Sequence, residues 1–485
     1  MQSSQVIPID GRLQRNRRLP CHPLRPHHAT PVLLLLGCAS APPVLEHEPQ
    51  PNVVLVLVDD LGWWDLACYG NPAVETPRID AFCADSVKFT DAYAAAPVCS
   101  PTRAAIMTGQ SPARLHITNH APDQERFTPD DPVLLPAPMH DRLALEHVTL
   151  AEHLQAAGYD TAFMGKWHLA PQHVADAADW FPDKQGFDLN LGGDGMGGPG
   201  RFFAPYSFPN LESKAEGEYL PYRIGDEASA YIEAQAANDE PFFLALWHYT
   251  VHWPIEAPED LVAKYTARGV GPGVKMPQYA AMTEALDQVF GQVLDALDAS
   301  GQADDTIVVF TSDNGALLSV ADLGPLRQAK GYLYEGGIRV PTMVRWPGVT
   351  EPGRVDATPI VSTDLFPTLL AACGAPIPLD IPCDGIDLGP LLRGGALERE
   401  AIHFHYPNYA FHRSNRLGSA IRVGDWKLIE RFDDGSLELY DLAADLGEHT
   451  NLAATHPGLA EELQRQLGEW RTGVGAAMPT RVAER

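Results

Sequence analysis

Cysteine is scarce in this sequence, seven in 485 residues: Cys21, Cys38, Cys68, Cys83, Cys99, Cys373 and Cys383. That scarcity excludes a dense disulfide framework, and the spacing excludes a paired-cysteine metal motif. Cys373 and Cys383 are close enough to close a loop, and two buried free thiols account for them equally well. Positive charge is scarce too, with 35 Lys and Arg against 63 Asp and Glu for a formal charge of −28. This balance excludes nonspecific attraction to nucleic acid and gives no general pull on anions, so any anion site has to be built locally. An acidic surface suits a saline habitat, and solubility explains it as well. Internal repeats and low-complexity tracts are missing. What is abundant is apolar content, 45% of the chain, enough over this length to bury the core of one large domain plus a smaller one.

The N-terminus has its own texture. Arg15, Arg17, Arg18 and Arg25 precede the apolar stretch 32–36, and Leu35-Leu36-Gly37-Cys38 is followed by the small residues Ala39-Ser40-Ala41. This resembles a bacterial lipoprotein signal with Cys38 as the lipidated first residue, and the apolar run is too short to span a bilayer. Residues 1–50 are therefore read as signal and linker, 51–380 as an α/β domain and 381–485 as an α+β subdomain. Export to the periplasm or cell envelope is expected, with a lipid anchor as the membrane contact.

From Pro51 strands and helices alternate. The run 52–58 is β-branched or aliphatic almost throughout, as in a strand covered on both faces, and 161–164, 242–247 and 306–310 resemble it. Helical patterns lie between, clearest over 148–157, ended by Gly158, and 278–297, ended by Gly301. This alternation predicts a large mixed, mainly parallel sheet sandwiched by helices. Beyond residue 381, stretches at 402–405, 419–422, 426–429 and 437–440, with turn signals at Gly424-Asp425 and Asp434-Gly435, predict a smaller antiparallel sheet. A helix over 458–470 is expected to pack on it. Glycine and proline crowd 192–205, a loop expected to line a site.

Chemistry-bearing residues gather at the ends of these strands. Strand 52–58 runs into Asp59-Asp60, and strand 306–310 runs into Thr311-Ser312-Asp313-Asn314. In a parallel sheet the carboxyl ends share one edge, where ligands bind. Three carboxylates and an amide oxygen make a hard shell that suits Ca²⁺ or Mg²⁺ and not zinc or copper; singly, such pairs are mostly caps and turns. Gly165-Lys166-Trp167-His168-Leu169 follows the strand at 161, and His248 with His252-Trp253-Pro254 follows the strand at 242. Lys330 opens the run Lys-Gly-Tyr-Leu-Tyr-Glu-Gly-Gly-Ile-Arg-Val-Pro over 330–341, and Cys99-Ser100-Pro101-Thr102-Arg103 begins a helical stretch.

Together these stretches resemble the type I sulfatases of the alkaline phosphatase superfamily, in the same order from Asn52 to about Met478. Glu75-Thr76-Pro77-Arg78-Ile79-Asp80 and Trp426-Lys427-Leu428 add to the match. The resemblance implies an alkaline-phosphatase-like fold and a sulfuric ester hydrolase. It implies that a formylglycine-generating or anaerobic sulfatase-maturing enzyme converts Cys99 to formylglycine, whose gem-diol attacks sulfur and expels sulfate by re-forming its carbonyl. It implies Ca²⁺, with Mg²⁺ as the alternative, on Asp59, Asp60, Asp313, Asn314 and the residue at Cys99. Arg103 is then buried beside the formylglycine, Lys166 contacts sulfate or nucleophile, and His168 hydrogen-bonds the gem-diol. His252 is the general acid, with His248 as runner-up, and Lys330 grips sulfate and the leaving oxygen.

The likeness is greatest to bacterial arylsulfatase-like enzymes that remove sulfate from polysaccharide fragments, so the implied substrate is a sulfated galactose or N-acetylgalactosamine unit. Asn119, His120, His403, His405, Tyr406 and Tyr409 are candidates to shape its pocket, or equally to pack between the two sheets. Gln110 stands where a basic residue is usual, and the loop 193–198 departs from the family's, a change that touches substrate choice. Two other readings are a formylglycine-dependent phosphonate or phosphate ester hydrolase and an inactive sugar-binding lipoprotein. The complete set of site residues counts against the second.

Overall fold

Strand β1, Asn52–Val58, is the centre of the molecule because its side chains alternate between two apolar clusters. Val54, Val56 and Val58 enter one and Val53, Leu55 and Leu57 the other, all fully buried. A strand with no polar face has to lie inside a sheet covered on both sides. The computed structural model describes residues 50–122, 125–377, 381–412 and 414–482; the lipoprotein-like segment, with Cys21 and Cys38, lies outside them.

The remaining strands of the main sheet are β2 (Val87–Phe89), β3 (Asp160–Gly165), β4 (Leu189–Leu191), β5 (Phe242–Trp247), β6 (Thr306–Ser312), β7 (Thr342–Arg345) and β8 (Val355–Asp356). Their order is β8-β2-β7-β6-β1-β5-β3-β4. The block from β6 to β4 is parallel throughout, and β7 runs antiparallel to both β6 and β2. The expected mixed, mainly parallel sheet is therefore present, and its antiparallel member sits towards one edge. Helices α1 (Cys99–Thr108), α2 (Leu150–Ala156), α3 (Leu220–Gln235), α4 (Pro277–Ser300) and α5 (Leu365–Ala372) cover the faces. The start of α2 is fixed by a capping box in which Thr149 Oγ1 accepts from Glu152 N and the Glu152 carboxylate accepts from Thr149 N. Helix α4 stops at Gly301, in the left-handed region at φ 73°.

The C-terminal sheet runs β9 (Ile402–Tyr406), β10 (Gly418–Val423), β11 (Trp426–Arg431) and β12 (Leu437–Asp441), antiparallel and in sequence order. Alternation along it sorts two faces. Ile421, Leu428 and Leu439 pack under α6 (Pro457–Val474), whereas Phe404, Ala420, Ile429 and Tyr440 pack against Tyr93, Val98 and Tyr332 of the large sheet's layer. Cys68, Cys83, Cys99, Cys373 and Cys383 are all free, so the loop between Cys373 and Cys383 is not closed by a disulfide. Among the described residues no helix is long and apolar enough to cross a membrane.

Candidate active site

Register brings the site together. Val58 pairs with Ser312, Leu57 with Trp247 and Gly165 with Trp247, so four strands end in one row. Asp59, Asp313, Lys166 and His248 are the next residues of β1, β6, β3 and β5. Backbone bonds carry the row past the strand ends: Lys166 N donates to Trp247 O at 2.7 Å, His248 N to Leu57 O at 2.8 Å and Asp59 N to Thr250 O at 3.0 Å. The chain turns at Asp60 with φ 61°, a conformation that aspartate tolerates better than most residues.

Cys99, the first residue of the wholly buried α1, faces this row. Its Sγ lies 3.4 Å from Asp59 Oδ1, 3.9 Å from Asp60 Oδ1 and 3.1 Å from Lys330 Nζ. The Lys330 loop is held against the loop before Cys99 by Gly331 N donating to Pro97 O at 2.8 Å. One turn further along α1, Arg103 donates to Asp313 Oδ2 at 2.6 and 2.9 Å and to Lys166 O at 2.5 Å. Lys166 Nζ sits 2.7 Å from Asp59 Oδ2, and Lys330 Nζ sits 2.5 Å from Asp60 Oδ1. Three cations thus face three carboxylates in a space closed to solvent. Burial drives Asp59 up to about 7 despite Lys166. Burial pushes Asp60 the same way, but Lys330, His252 and Lys166 outweigh it and hold its carboxyl below the ordinary range. The Cys99 thiol, buried, is pushed up to about 12.

A divalent cation fits this donor set. Asp59, Asp60, Cys99 and Asp313 offer ligand atoms within 4.8 Å of one another. Asp60 Oδ2 and Asn314 Oδ1 are buried without a hydrogen-bond partner, because the Asn314 amide nitrogen turns to Asp60 Oδ1 and Gly315 O. Two orphaned buried oxygens beside three carboxylates are what an oxygen-coordinated ion would satisfy.

Above the floor opens a cavity of about 390 Å³ lined by His120, Arg126, Phe127, His168, Gln172, Gly197, His252, Trp253, Leu317, Lys330 and Phe411 among others. His252 Nδ1 lies 2.8 Å from Trp253 O, so the neutral ring carries its proton there and turns Nε2 towards Asp60 Oδ2, 3.8 Å away. Burial and the two lysines lower His252 to about 3. His248, the alternative acid, is fully buried away from the cavity wall, with neither ring nitrogen partnered. Of the residues expected to shape the pocket, only His120 lines it. Asn119 and Tyr406 are buried, the tyrosine hydroxyl donating to the Asn119 side chain, and His405 spends both ring nitrogens on Ser419 Oγ and Ala477 O. His403 stacks on Trp470, and Tyr409 OH donates to Leu134 O. Tyr406 and Tyr409 tie the C-terminal part to Asn119 and Leu134 of the large domain, His403 and His405 pack within the C-terminal part, and of the two roles left open for these residues their contacts are those of packing. Sequence reasoning passed over Trp253, Arg126, Gln172 and Phe411; only Trp253, beside His252, carried a local signal.

This is the mainly parallel α/β architecture of the alkaline phosphatase superfamily, with a buried cation-and-carboxylate site at the carboxyl edge. The chain belongs to the sulfatase family, whose model matches residues 51–375, and a second model, N-sulphoglucosamine sulphohydrolase, C-terminal, matches 328–472. It is 33% identical to arylsulfatase A of Homo sapiens over 90% of this chain and 86% of that protein. It is 34% identical to N-acetylgalactosamine-6-sulfatase of Canis lupus familiaris, covering 76% of this chain and 70% of that one. The crystal structure of Ps i-CgsB in complex with a neocarrahexaose superposes with a TM-score of 0.74 at 26% identity, covering 87% of this chain and 93% of that one. The protein is accordingly a sulfuric ester hydrolase.

Proposed function

We propose that this sulfatase removes sulfate from a saccharide, a galactose or N-acetylgalactosamine unit, using formylglycine made from Cys99 by a maturation enzyme. The observation that carries the reading is Cys99 buried directly behind the cavity-lining Lys330, whose Nζ lies 3.1 Å from its Sγ, with Asp59 at 3.4 Å. The saccharide is favoured by the relatives, one an N-acetylgalactosamine-6-sulfatase and one solved in complex with a neocarrahexaose.

Asp59, Asp60, Asp313 and Asn314, with the residue at 99, would hold Ca²⁺, or Mg²⁺; bound, the ion supplies fixed positive charge for the sulfate oxygens. Arg103, Lys166 and Lys330 already offset Asp59, Asp60 and Asp313, whose combined negative charge cannot exceed theirs, so an added dication leaves surplus positive charge for an anionic ester. Lys330 and Lys166 stabilise the charge that develops on the transferring sulfate, and Arg103 holds Asp313 and the Lys166 backbone in place. His168 accepts the proton released when sulfate leaves the nucleophile. His252 is neutral in the free protein, and the anionic ester bound beside it raises its basicity so that it protonates the departing oxygen. Export, with Cys38 lipidated, places the enzyme in the cell envelope, where sulfated polysaccharide fragments arrive; this rests on the sequence alone.

The test is mass spectrometry of the peptide containing Cys99, from protein made with a maturation enzyme, together with assay of an aryl sulfate and a panel of sulfated sugars. Formylglycine with sulfate release from a galactose-type sugar is expected. Turnover with Cys99 unmodified would overturn the formylglycine route.

A further inference from the structure

The glycine-rich loop 192–200 separates two spaces. Gly197 lines the cavity walled by His168, His252 and Lys330, while its neighbours Met196, Gly198, Pro199 and Gly200 line an adjoining cavity of about 360 Å³ with Arg201, Pro205, Tyr206, Ser207 and Phe208. The wall between them is the segment 196–200, three of whose five residues are glycine. A Cβ on Gly198 would stand 3.1 Å from His252 Nδ1 and 3.3 Å from Trp253 O, so the loop passes directly over the residues that close the first cavity. Trp253, half exposed at 51%, lies on the same rim.

The second space has the chemistry of a sugar site. Phe208 and Tyr206 give it an aromatic wall, fixed from behind by Tyr249, whose ring centroid lies 5.3 Å from that of Phe208. Arg201, exposed and in no salt bridge with any described residue, and Ser207 give it donors for hydroxyls. The first cavity alone is large enough for one sulfated sugar unit, so this space is not needed to bind the reacting group.

We propose that the second cavity binds the sugar unit next to the sulfated one, so that the enzyme acts on a saccharide of at least two units, with Trp253 and the 196–200 backbone as the saddle between them. This rests on the saccharide reading above. It is tested with p-nitrophenyl sulfate and with sulfated galactose and N-acetylgalactosamine, each alone and as the terminal unit of a disaccharide. The disaccharide is expected to be hydrolysed with a kcat/KM at least tenfold above its monosaccharide. In Arg201→Ala and in Ser207→Trp, which fills the space, the ratio of kcat/KM for disaccharide to that for the aryl sulfate is expected to fall about tenfold; misfolding lowers both rates together and leaves the ratio alone. Equal kcat/KM for monosaccharide and disaccharide, with the ratio unmoved in both variants, would overturn the subsite and leave the saccharide reading standing. Turnover of the aryl sulfate with none of any sugar would overturn both.

Discussion

Gly197 shows how a site residue can be positioned by one that does no chemistry. A Cβ there would meet His168 Cε1 at 2.8 Å and Nε2 at 2.9 Å, so only glycine lets the loop lie on that imidazole. Gly197→Ala is expected to displace the ring and lower kcat on an aryl sulfate by about 10- to 100-fold, since a misplacement on the order of 1 Å in a catalytic group costs that much. The melting temperature should move little, and a kcat within twofold of wild type would refute the positional argument. Lys330→Ala removes the ammonium 3.1 Å from Cys99 and should lower kcat about 100- to 1,000-fold at equal formylglycine content, read by mass spectrometry on the same sample. Lys166, His168, His252 and Arg103 were legible because each lies in a short motif just past a strand or at the head of a helix, and Lys330 because it opens a long run, 330–341. Phe411 and Leu317 were not, because they reach the cavity from loops whose sequence has no pattern of its own. His405 and Tyr406, neighbours on β9 and therefore on opposite faces, were ambiguous for a different reason: the strand's sequence does not say what covers either face, and here Tyr406 reaches Asn119 of the large domain while His405 bonds Ser419 and Ala477.

At the level of elements, periodicity gave the buried parallel strands and the long α4, since an apolar run bounded by glycine has few other solutions. Strands β2, β7 and β8 escaped notice because Val87–Phe89, Thr342–Arg345 and Val355–Asp356 are too short for a period-2 pattern to register, and their pairing depends on partners far along the chain. The run 330–341 divides its duties in a way that sequence did not reveal. Lys330 serves the cavity, whereas Glu335 binds Lys427 Nζ of β11 at 2.8 Å and Arg339 Nη1 at 3.1 Å. Lys427 also pairs with Glu448 at 2.9 Å, all three groups buried. This clamp joins the C-terminal sheet to the loop that carries Lys330. Lys427→Met leaves two buried carboxylates without their shared cation and should cost about 3–5 kcal/mol in denaturant unfolding. Adding Glu335→Gln to it should recover part of that loss, because the two sites are coupled. A loss under about 1 kcal/mol would show that the clamp is not needed to hold the sheet.

For the whole molecule, the surplus of acid matters less for stability than the titratable groups whose protonation changes on folding. His405 is 3% exposed and burial lowers it to about 4 from 6.5. Its Nε2–H donates to Ala477 O and its Nδ1 accepts from Ser419, so the folded chain holds the ring neutral. Between pH 6.5 and 4 the unfolded chain binds the extra proton, and the folded state therefore loses stability as pH falls through that window. Asp287 runs the other way. Buried, and accepting from Ile79 N at 2.7 Å, it is raised to about 6 from 3.8. Its contribution is complete below pH 4 and is lost as pH rises through 6, where the folded carboxyl has to ionise out of water. The two slopes oppose each other across nearly the same range, so the wild-type stability curve alone reports neither. Variants separate them. On acidification from pH 7 to pH 4 at fixed temperature, wild type should lose up to about 3 kcal/mol relative to His405→Gln, one pKa unit being worth about 1.4 kcal/mol. Relative to Asp287→Asn, whose amide keeps the Ile79 contact without a charge, wild type should instead lose stability from pH 4 to pH 7. Unfolding free energies from urea titrations at half-unit pH intervals decide both; parallel curves for wild type and either variant would mean that residue keeps its unfolded-state pKa in the folded chain.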